Sequence, residues 1–125
     1  MNGAAPASPV ALTEAQAGLW YAQRLAPDNP AFNTAHAVWI DGALDVAAFT
    51  AAANQAAAEA QALALRFTEG SDGQPLQWHE PAHVPLLAVH DLSSAADPVA
   101  DANAAMRADR LSPVDPTRDR ISQQV

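Results

Sequence analysis

The chain has 125 residues and a formal net charge of −8, from six basic and fourteen acidic side chains. This length is typical of one domain or of part of a larger one. The scarcity of cations argues against duplex nucleic acid and anionic membranes as partners, because both are bound through clustered Lys and Arg. The absence of cysteine excludes a disulfide framework, a thiol nucleophile and cysteine-ligated metal sites.

The amino-terminal residues carry no targeting signal that composition reveals. Residues 1–9 have neither a basic stretch nor an apolar run, and no apolar run elsewhere approaches the ~20 residues of a membrane span. We therefore expect a cytoplasmic protein. Residues 1–11 are small and contain proline, and we expect a flexible arm that can become ordered as an edge strand.

The first helix is predicted to begin at Thr13, which forms a capping box with Gln16, and to end before Pro27. Its expected core face is an apolar stripe at helical spacing. Trp20 and Tyr21 lie off the centre of this stripe, and we expect them to flank the core rather than to stack on a cofactor. The stripe consists of Ala15, Leu19, Ala22 and Leu25.

Residues 32–40 alternate with a period of two and carry apolar groups on both faces, which predicts a strand covered on both sides. Asp41-Gly42 ends this strand. Asp45 is the predicted N-cap of a second helix that is rich in Ala. The expected apolar face of this helix consists of Val46, Phe49, Ala53 and Ala56.

Two alternating runs surround a turn rich in Gly and Asp at residues 69–74, which predicts a β-hairpin. The runs consist of Leu63, Leu65 and Phe67 on one side and Leu76 and Trp78 on the other. Residues 86–89 predict a further short strand.

Asp97-Pro98 predicts the start of a third helix. The expected stripe of this helix is Val99, Ala102 and Met106, and prolines at 113 and 116 follow it. The element order predicts an α/β fold with helices packed on a mixed sheet.

Spacing alone identifies no catalytic, cofactor-binding or metal-binding residue. His79 and His83 have the i,i+4 spacing of a helical zinc site, but Pro81 between them argues against a helix. Ser71 lies in the predicted hairpin turn rather than in a nucleophile elbow. His36 lies in a predicted strand, where a partly buried structural histidine is more common than a general base.

Several segments resemble the opening of condensation domains from nonribosomal peptide synthetases. Residues 12–22 match the first core motif, with Ala15-Gln16 and Trp20, and residues 62–69 fall where the second motif belongs. The resemblance covers about residues 12–120 and is greatest to the enterobactin synthetase component F type. The other matching segments are Ala35-His36, Arg66-Phe67-Thr68-Glu69, Gln77-Trp78 and Met106-Arg107-Ala108-Asp109.

The resemblance implies a fold like chloramphenicol acetyltransferase, without a cofactor. It implies carrier domains bearing phosphopantetheine thioesters, and neighbouring synthetase domains, as partners. Such a parent joins a carrier-bound acyl donor, of an aryl type in siderophore biosynthesis, to a carrier-bound amino acid. The family motif His-His-x-x-x-Asp-Gly is absent, so enzyme activity of this chain is uncertain. The second motif also departs from the family, since Ala60, Gln61 and Ala64 fill its His, Glu and second Arg places, and Arg66 is a candidate substitute for that Arg.

Three interpretations follow. In the first, the chain is an inactive condensation-domain fragment with an arm at 1–11, a partial amino-terminal lobe at 12–112 and an irregular tail at 113–125 that enters the next strand. In the second, it is a non-catalytic module that binds a carrier protein or a synthetase. In the third, it is an unrelated small metal-dependent or hydrolytic enzyme. The first predicts uncovered apolar residues, and hence low solubility or a broad thermal transition.

Overall fold

A computed structural model describes residues 8–125 of the chain. Within this range the helices are α1 (Glu14–Leu25), α2 (Val46–Glu59) and α3 (Pro98–Arg110). The strands are β1 (Val10–Ala11), β2 (Leu65–Glu69) and β3 (Pro75–His79), which form an antiparallel sheet in the order β1-β3-β2. Short 3₁₀ turns occupy Pro30–Phe32, Gln61–Ala64 and Pro81–His83.

The predicted edge strand is confirmed at Val10–Ala11, where β1 pairs with β3. The remainder of the predicted arm, residues 1–7, lies outside the described residues.

All three helix starts are confirmed because each depends on a local hydrogen bond. The Thr13 hydroxyl accepts from the Gln16 N–H while the Gln16 side chain accepts from the Thr13 N–H, which completes the capping box. Asp45 accepts from the N–H of the third residue of α2, and Asp97 does the same for α3. These bonds satisfy N–H groups that have no partner inside a helix.

The predicted hairpin is also confirmed. β2 and β3 pair from Leu65 opposite His79 to Glu69 opposite Pro75. The turn between them contains Gly73 at φ 79°, a backbone conformation that glycine adopts without the penalty of a Cβ atom. Leu63 does not belong to the strand as predicted, since it lies in the 3₁₀ turn that precedes β2.

The predicted strand at residues 32–40 is wrong. Within the described residues this segment has no ladder partner, and it is irregular after the turn at Pro30–Phe32. Its large apolar side chains are exposed, with Val38 at 75%, Trp39 at 63% and Ile40 at 52%. Alternation indicates which residues could share a face, but a strand forms only where a neighbour accepts its backbone hydrogen bonds.

The predicted apolar stripes of the helices are also wrong. In α1, Leu19 and Leu25 are exposed whereas Trp20, which we expected to flank the core, is only 4% exposed. In α2 the predicted Val46 and Phe49 are exposed, and the buried residue is Ala57. α3 buries none of its residues. Amphipathic spacing defines a candidate face, and only a packing partner decides which face is buried.

The core of the described chain is small. Its buried apolar residues are Trp20, Ala57 and Ala64, the last of which is completely buried. The ring of Phe67 on β2 lies 6.2 Å from that of Trp20, so α1 packs on the hairpin through these aromatic side chains.

The second half of the chain adds one contact of a different kind. Leu87 and Gln124 form an isolated parallel bridge in place of the short strand predicted at 86–89. The described residues therefore combine antiparallel and parallel pairing with packed helices, as the predicted α/β class requires. None of the described helices is long and apolar enough to span a membrane.

Candidate functional site

The first group of motif residues joins α1 to the hairpin. The side-chain amides of Gln16 and Gln77 exchange two hydrogen bonds, at 2.8 and 2.9 Å, across 61 residues of sequence. The Gln77 amide also donates to the Ala11 carbonyl at 3.4 Å, so the same side chain fastens β1. These two Gln residues therefore hold the first motif against the sheet.

The same face of α1 carries an aromatic and ionic cluster. The guanidinium of Arg24 lies 5.6 Å from the centre of the Trp20 ring and pairs with Glu69 at the end of β2. Gln16, Trp20 and Arg24 are spaced four residues apart, which places them on one side of the helix. The predicted motif residues of α1, β2 and β3 are thus brought together, and their contacts are structural.

The second group of contacts holds the carboxyl-terminal segment, residues 113–125. Arg66 on β2 donates from its two guanidinium nitrogens to the Arg118 carbonyl at 2.9 Å and the Thr117 carbonyl at 3.0 Å. The Ser122 hydroxyl donates to the Leu63 carbonyl at 2.7 Å. Arg66 is therefore engaged by the backbone of this segment, and it does not share a strand with Ala64, which lies in the preceding 3₁₀ turn.

Further along, the segment is fastened to the loop after β3. Arg120 donates to the carbonyls of Ala82 and Val84, at 3.2 and 3.4 Å. The Gln124 side chain donates to the Pro85 carbonyl at 2.8 Å, and its backbone carbonyl accepts from the Ala88 N–H at 3.0 Å. The last residues of the chain are consequently aligned in parallel with residues 86–88.

A tight turn begins this segment. One carboxylate oxygen of Asp115 accepts from both the N–H and the hydroxyl of Thr117, and the other pairs with Arg118 at 2.9 Å. The hydrogen bonds from Thr117, followed by the charge of Arg118, lower the pKa of Asp115 because they stabilise its ionised form. The Asp115 backbone N–H donates to Asp119, which closes the turn from the other side.

The histidines do not form a metal site in the described part of the chain. His79 lies in β3 and His83 in the following 3₁₀ turn that Pro81 begins, so they do not share a helix face, in agreement with the sequence argument. Residues 8–125 contain no group of three metal-ligating side chains. The Nε2 atom of His79 is buried without a hydrogen-bond partner, and His36 is exposed.

A small pocket lies beside the carboxyl-terminal segment. Its volume is about 210 Å³, below the roughly 300–1,000 Å³ typical of small-molecule sites. It is lined by Pro85, Leu86, Ala88, Arg120, Ser122, Gln123, Gln124 and Val125. Ser71 lies in the hairpin turn and does not line this pocket.

Two motif segments remain apart from these clusters. Ala35-His36 is exposed in the irregular segment that follows Phe32. The segment 106–109 lies on α3, where the Asp109 carboxylate accepts a hydrogen bond from Gln123. Sequence reasoning missed the contacts of the carboxyl-terminal segment, because backbone carbonyls are acceptors in every residue and leave no signal in the sequence.

Known proteins with similar sequences identify the family of this chain. The condensation-domain family matches residues 7–122. A dimodular nonribosomal peptide synthase of Bacillus subtilis is 44% identical over 104 residues, which is 83% of this chain and 4% of that protein. Enterobactin synthase component F of Shigella flexneri is 35% identical over 99 residues, which is 78% of this chain and 8% of that protein. The resemblance to the enterobactin type is therefore present but distant, and it is not the greatest as expected, since the Bacillus subtilis synthase is more similar.

Among solved structures, a variant of the starter condensation domain of rhizomide synthetase, in complex with C8-CoA, superposes with a TM-score of 0.78 and 39% identity. The overlap covers 90% of this chain and 26% of that domain structure. The chain thus spans less than a tenth of these curated relatives and about a quarter of the solved domain. Since the family match extends over nearly its whole length, the chain belongs to the condensation-domain family of nonribosomal peptide synthetases.

Proposed function

We propose that residues 12–112 are part of the amino-terminal lobe of a condensation domain. We further propose that 113–125 leads into the next strand, beyond which the family's His-His-x-x-x-Asp-Gly motif lies. The parent domain joins a carrier-bound acyl group to the amine of a carrier-bound amino acid, forming an amide. The observation that carries this proposal is the family match over residues 7–122. The parallel bridge between Leu87 and Gln124 supports it, because the segment leaves the described structure already aligned for further strand pairing.

The chain by itself does not catalyse condensation in this proposal. The motif that supplies the family's general base is absent from the sequence, and binding contacts do not replace a proton acceptor. The pocket of about 210 Å³ is also smaller than the roughly 300–1,000 Å³ typical of small-molecule sites. We accordingly assign no catalytic residue to this chain.

The partners of the parent are carrier domains bearing phosphopantetheine thioesters, and neighbouring domains of a cytoplasmic synthetase. The relatives support this assignment, because the Bacillus subtilis protein is named as a dimodular synthase and this chain covers only 4% of it. In such an assembly the condensation domain takes the acyl group from an upstream carrier domain and joins it to the amino acid on a downstream one.

The acyl donor has two candidates. An aryl acid in siderophore biosynthesis is supported by the 35% identity to enterobactin synthase component F. A fatty-acyl group is supported by the starter condensation domain of rhizomide synthetase, whose structure contains C8-CoA. The second candidate has the more similar relative, and competition between the two donors will distinguish them.

The first experiment reads the coding DNA beyond codon 125 in all three forward frames. A downstream His-His-x-x-x-Asp-Gly in any frame is the expected result and identifies a divided synthetase. A clean stop without this motif would contradict the proposal and favour a non-catalytic module that binds a carrier or a synthetase.

The second experiment measures activity. The extended domain is incubated with an acceptor-loaded carrier and a donor carrier loaded with either an aryl or a C8 acyl group, and amide product is measured by mass spectrometry. We expect product from the extended domain and none from the 125-residue chain. Alanine at the second motif His serves as the matched control, and product formed by the short chain would refute the assignment.

A further inference from the structure

His83 is close to both arginines that hold the carboxyl-terminal segment in place. Arg66 Nη1 is 3.4 Å from both ring nitrogens of His83, while the same guanidinium holds the carbonyls of Thr117 and Arg118. Arg120 donates to the carbonyls of Ala82 and Val84, the residues immediately before and after His83. The imidazole therefore contacts one of the side chains that hold the carboxyl-terminal segment.

The guanidinium of Arg66 lies against the imidazole ring, because its Nη1 is equally distant from both ring nitrogens and so makes no straight hydrogen bond to one of them. This contact favours a neutral ring, since protonation would add a second positive charge beside that of Arg66. The charged groups that act on His83 within residues 8–125 are Arg66 from β2, Arg120 from the segment, and Glu80 from the loop before it. Protonation would place three cations beside a single carboxylate.

The direction of the pKa agrees with this geometry. Partial burial, followed by the charges of Arg66 and Arg120, lowers the pKa of His83 below 6.5, and Glu80 opposes them. The attached state therefore binds the proton less readily than a state in which the segment is released. As the pH falls through 6.5, the released state gains protons first and becomes favoured.

We propose that Arg66, His83 and Arg120 form a pH-sensitive latch that holds residues 117–124 at neutral pH and releases them in mild acid. Release separates Arg66 from the Thr117 and Arg118 carbonyls and opens the bridge to residues 86–88. Helix α1 stays packed on the hairpin, because the contacts of Gln16 and Trp20 do not involve the latch. The latch goes beyond the proposed function, since it requires only residues of this chain.

The test uses the 125-residue chain with a single fluorescent label. Val125→Cys provides a unique thiol, because the natural sequence has no cysteine, and Val125 is 72% exposed. Dye anisotropy is followed from about pH 7.5 to about pH 5, on both sides of the ordinary histidine pKa of about 6.5. Amide exchange, corrected for its intrinsic pH dependence, is measured at Ala88, which donates to Gln124, and at Gly70 in the hairpin turn.

The expected result is a fall in anisotropy and a several-fold loss of protection at Ala88 below pH 6.5, with Gly70 and the far-UV spectrum unchanged. His83→Gln, which removes the titrating ring, should abolish the pH dependence. His90→Gln, at an exposed histidine outside the cluster, should retain it.

Three results would overturn the latch. They are an unchanged parent chain across this pH range, a pH response that persists in His83→Gln, and parallel loss of protection at Ala88 and Gly70, which would indicate global unfolding. Because the comparison of Ala88 with Gly70 is made in one molecule, it remains decisive even if His83→Gln does not fold.

Discussion

At the scale of single residues, one side chain dominates the stability of the described structure. Trp20 is the one large apolar side chain among the buried apolar residues within 8–125, and the others are Ala57 and Ala64. It contacts Phe67 on β2 and lies beneath the guanidinium of Arg24. In a chain with 32 alanines, few other side chains bury comparable area.

Trp20→Ala is therefore expected to unfold the α1–hairpin unit. Removing a buried Trp costs about 3–5 kcal/mol, which approaches the whole stability of a small domain. The measurement is far-UV circular dichroism with chemical denaturation. The matched control is Trp39→Ala, at a Trp that is 63% exposed, and we expect a change within about 0.5 kcal/mol. Equal effects of the two variants would contradict the assigned core.

At the scale of elements, the predictions that rest on local hydrogen bonds are confirmed, whereas the predicted strand at 32–40, which needs a long-range partner, is wrong. The caps at Thr13, Asp45 and Asp97 formed as predicted because each acts over three residues. The segment 32–40 formed no strand, because within the described residues no neighbouring strand pairs with its backbone. Docking of α1 on the hairpin combines the Trp20–Phe67 contact with two long-range polar pairs. These pairs are Gln16 with Gln77 and Arg24 with Glu69.

The Gln16–Gln77 pair is testable by a double-mutant cycle. Gln16→Ala or Gln77→Ala leaves a partly buried amide without its partner, at an expected cost of about 1–3 kcal/mol in the free energy of unfolding. The double variant should cost less than the sum of the two single variants, because it leaves no unpaired amide. Gln55→Ala, at an exposed Gln that bonds Glu59, is the control and should have little effect. Additive single effects would show that the pair is not coupled.

At the scale of the whole molecule, the described surface carries many large apolar side chains. Val38, Trp39 and Ile40 lie together in sequence, and Phe49 of α2 and Leu25 of α1 are also exposed. Contiguous apolar surface favours association in water. Uncovered apolar side chains are what the fragment interpretation predicts.

We expect the chain to associate with increasing concentration and to unfold over a broad temperature range. The triple change Val38→Thr, Trp39→Ser and Ile40→Thr should reduce association, because it removes exposed apolar area without touching the buried residues. Light scattering after size-exclusion chromatography measures the effect. Val10→Thr, at an exposed valine of β1, is the control. A monodisperse monomer with a sharp transition in the unmodified chain would contradict this prediction.

The sequence by itself determined the features that depend on neighbours along the chain. These are the helix starts at Thr13, Asp45 and Asp97, the hairpin around Gly73, and the motifs that identify the family. The absence of the His-His-x-x-x-Asp-Gly motif is likewise a property of the sequence.

Only the tertiary structure decided which surfaces are buried and what holds the end of the chain. The periodicity predicted that the Leu19 side of α1 faces the core. Helix α1 packs through Trp20 instead, because the hairpin lies on the Trp20 side. Arg66 acts on backbone carbonyls more than fifty residues away, and carbonyls carry no sequence signal. Burial and long-range hydrogen bonds each need two segments in contact, and the sequence of one segment does not specify which other segment it contacts.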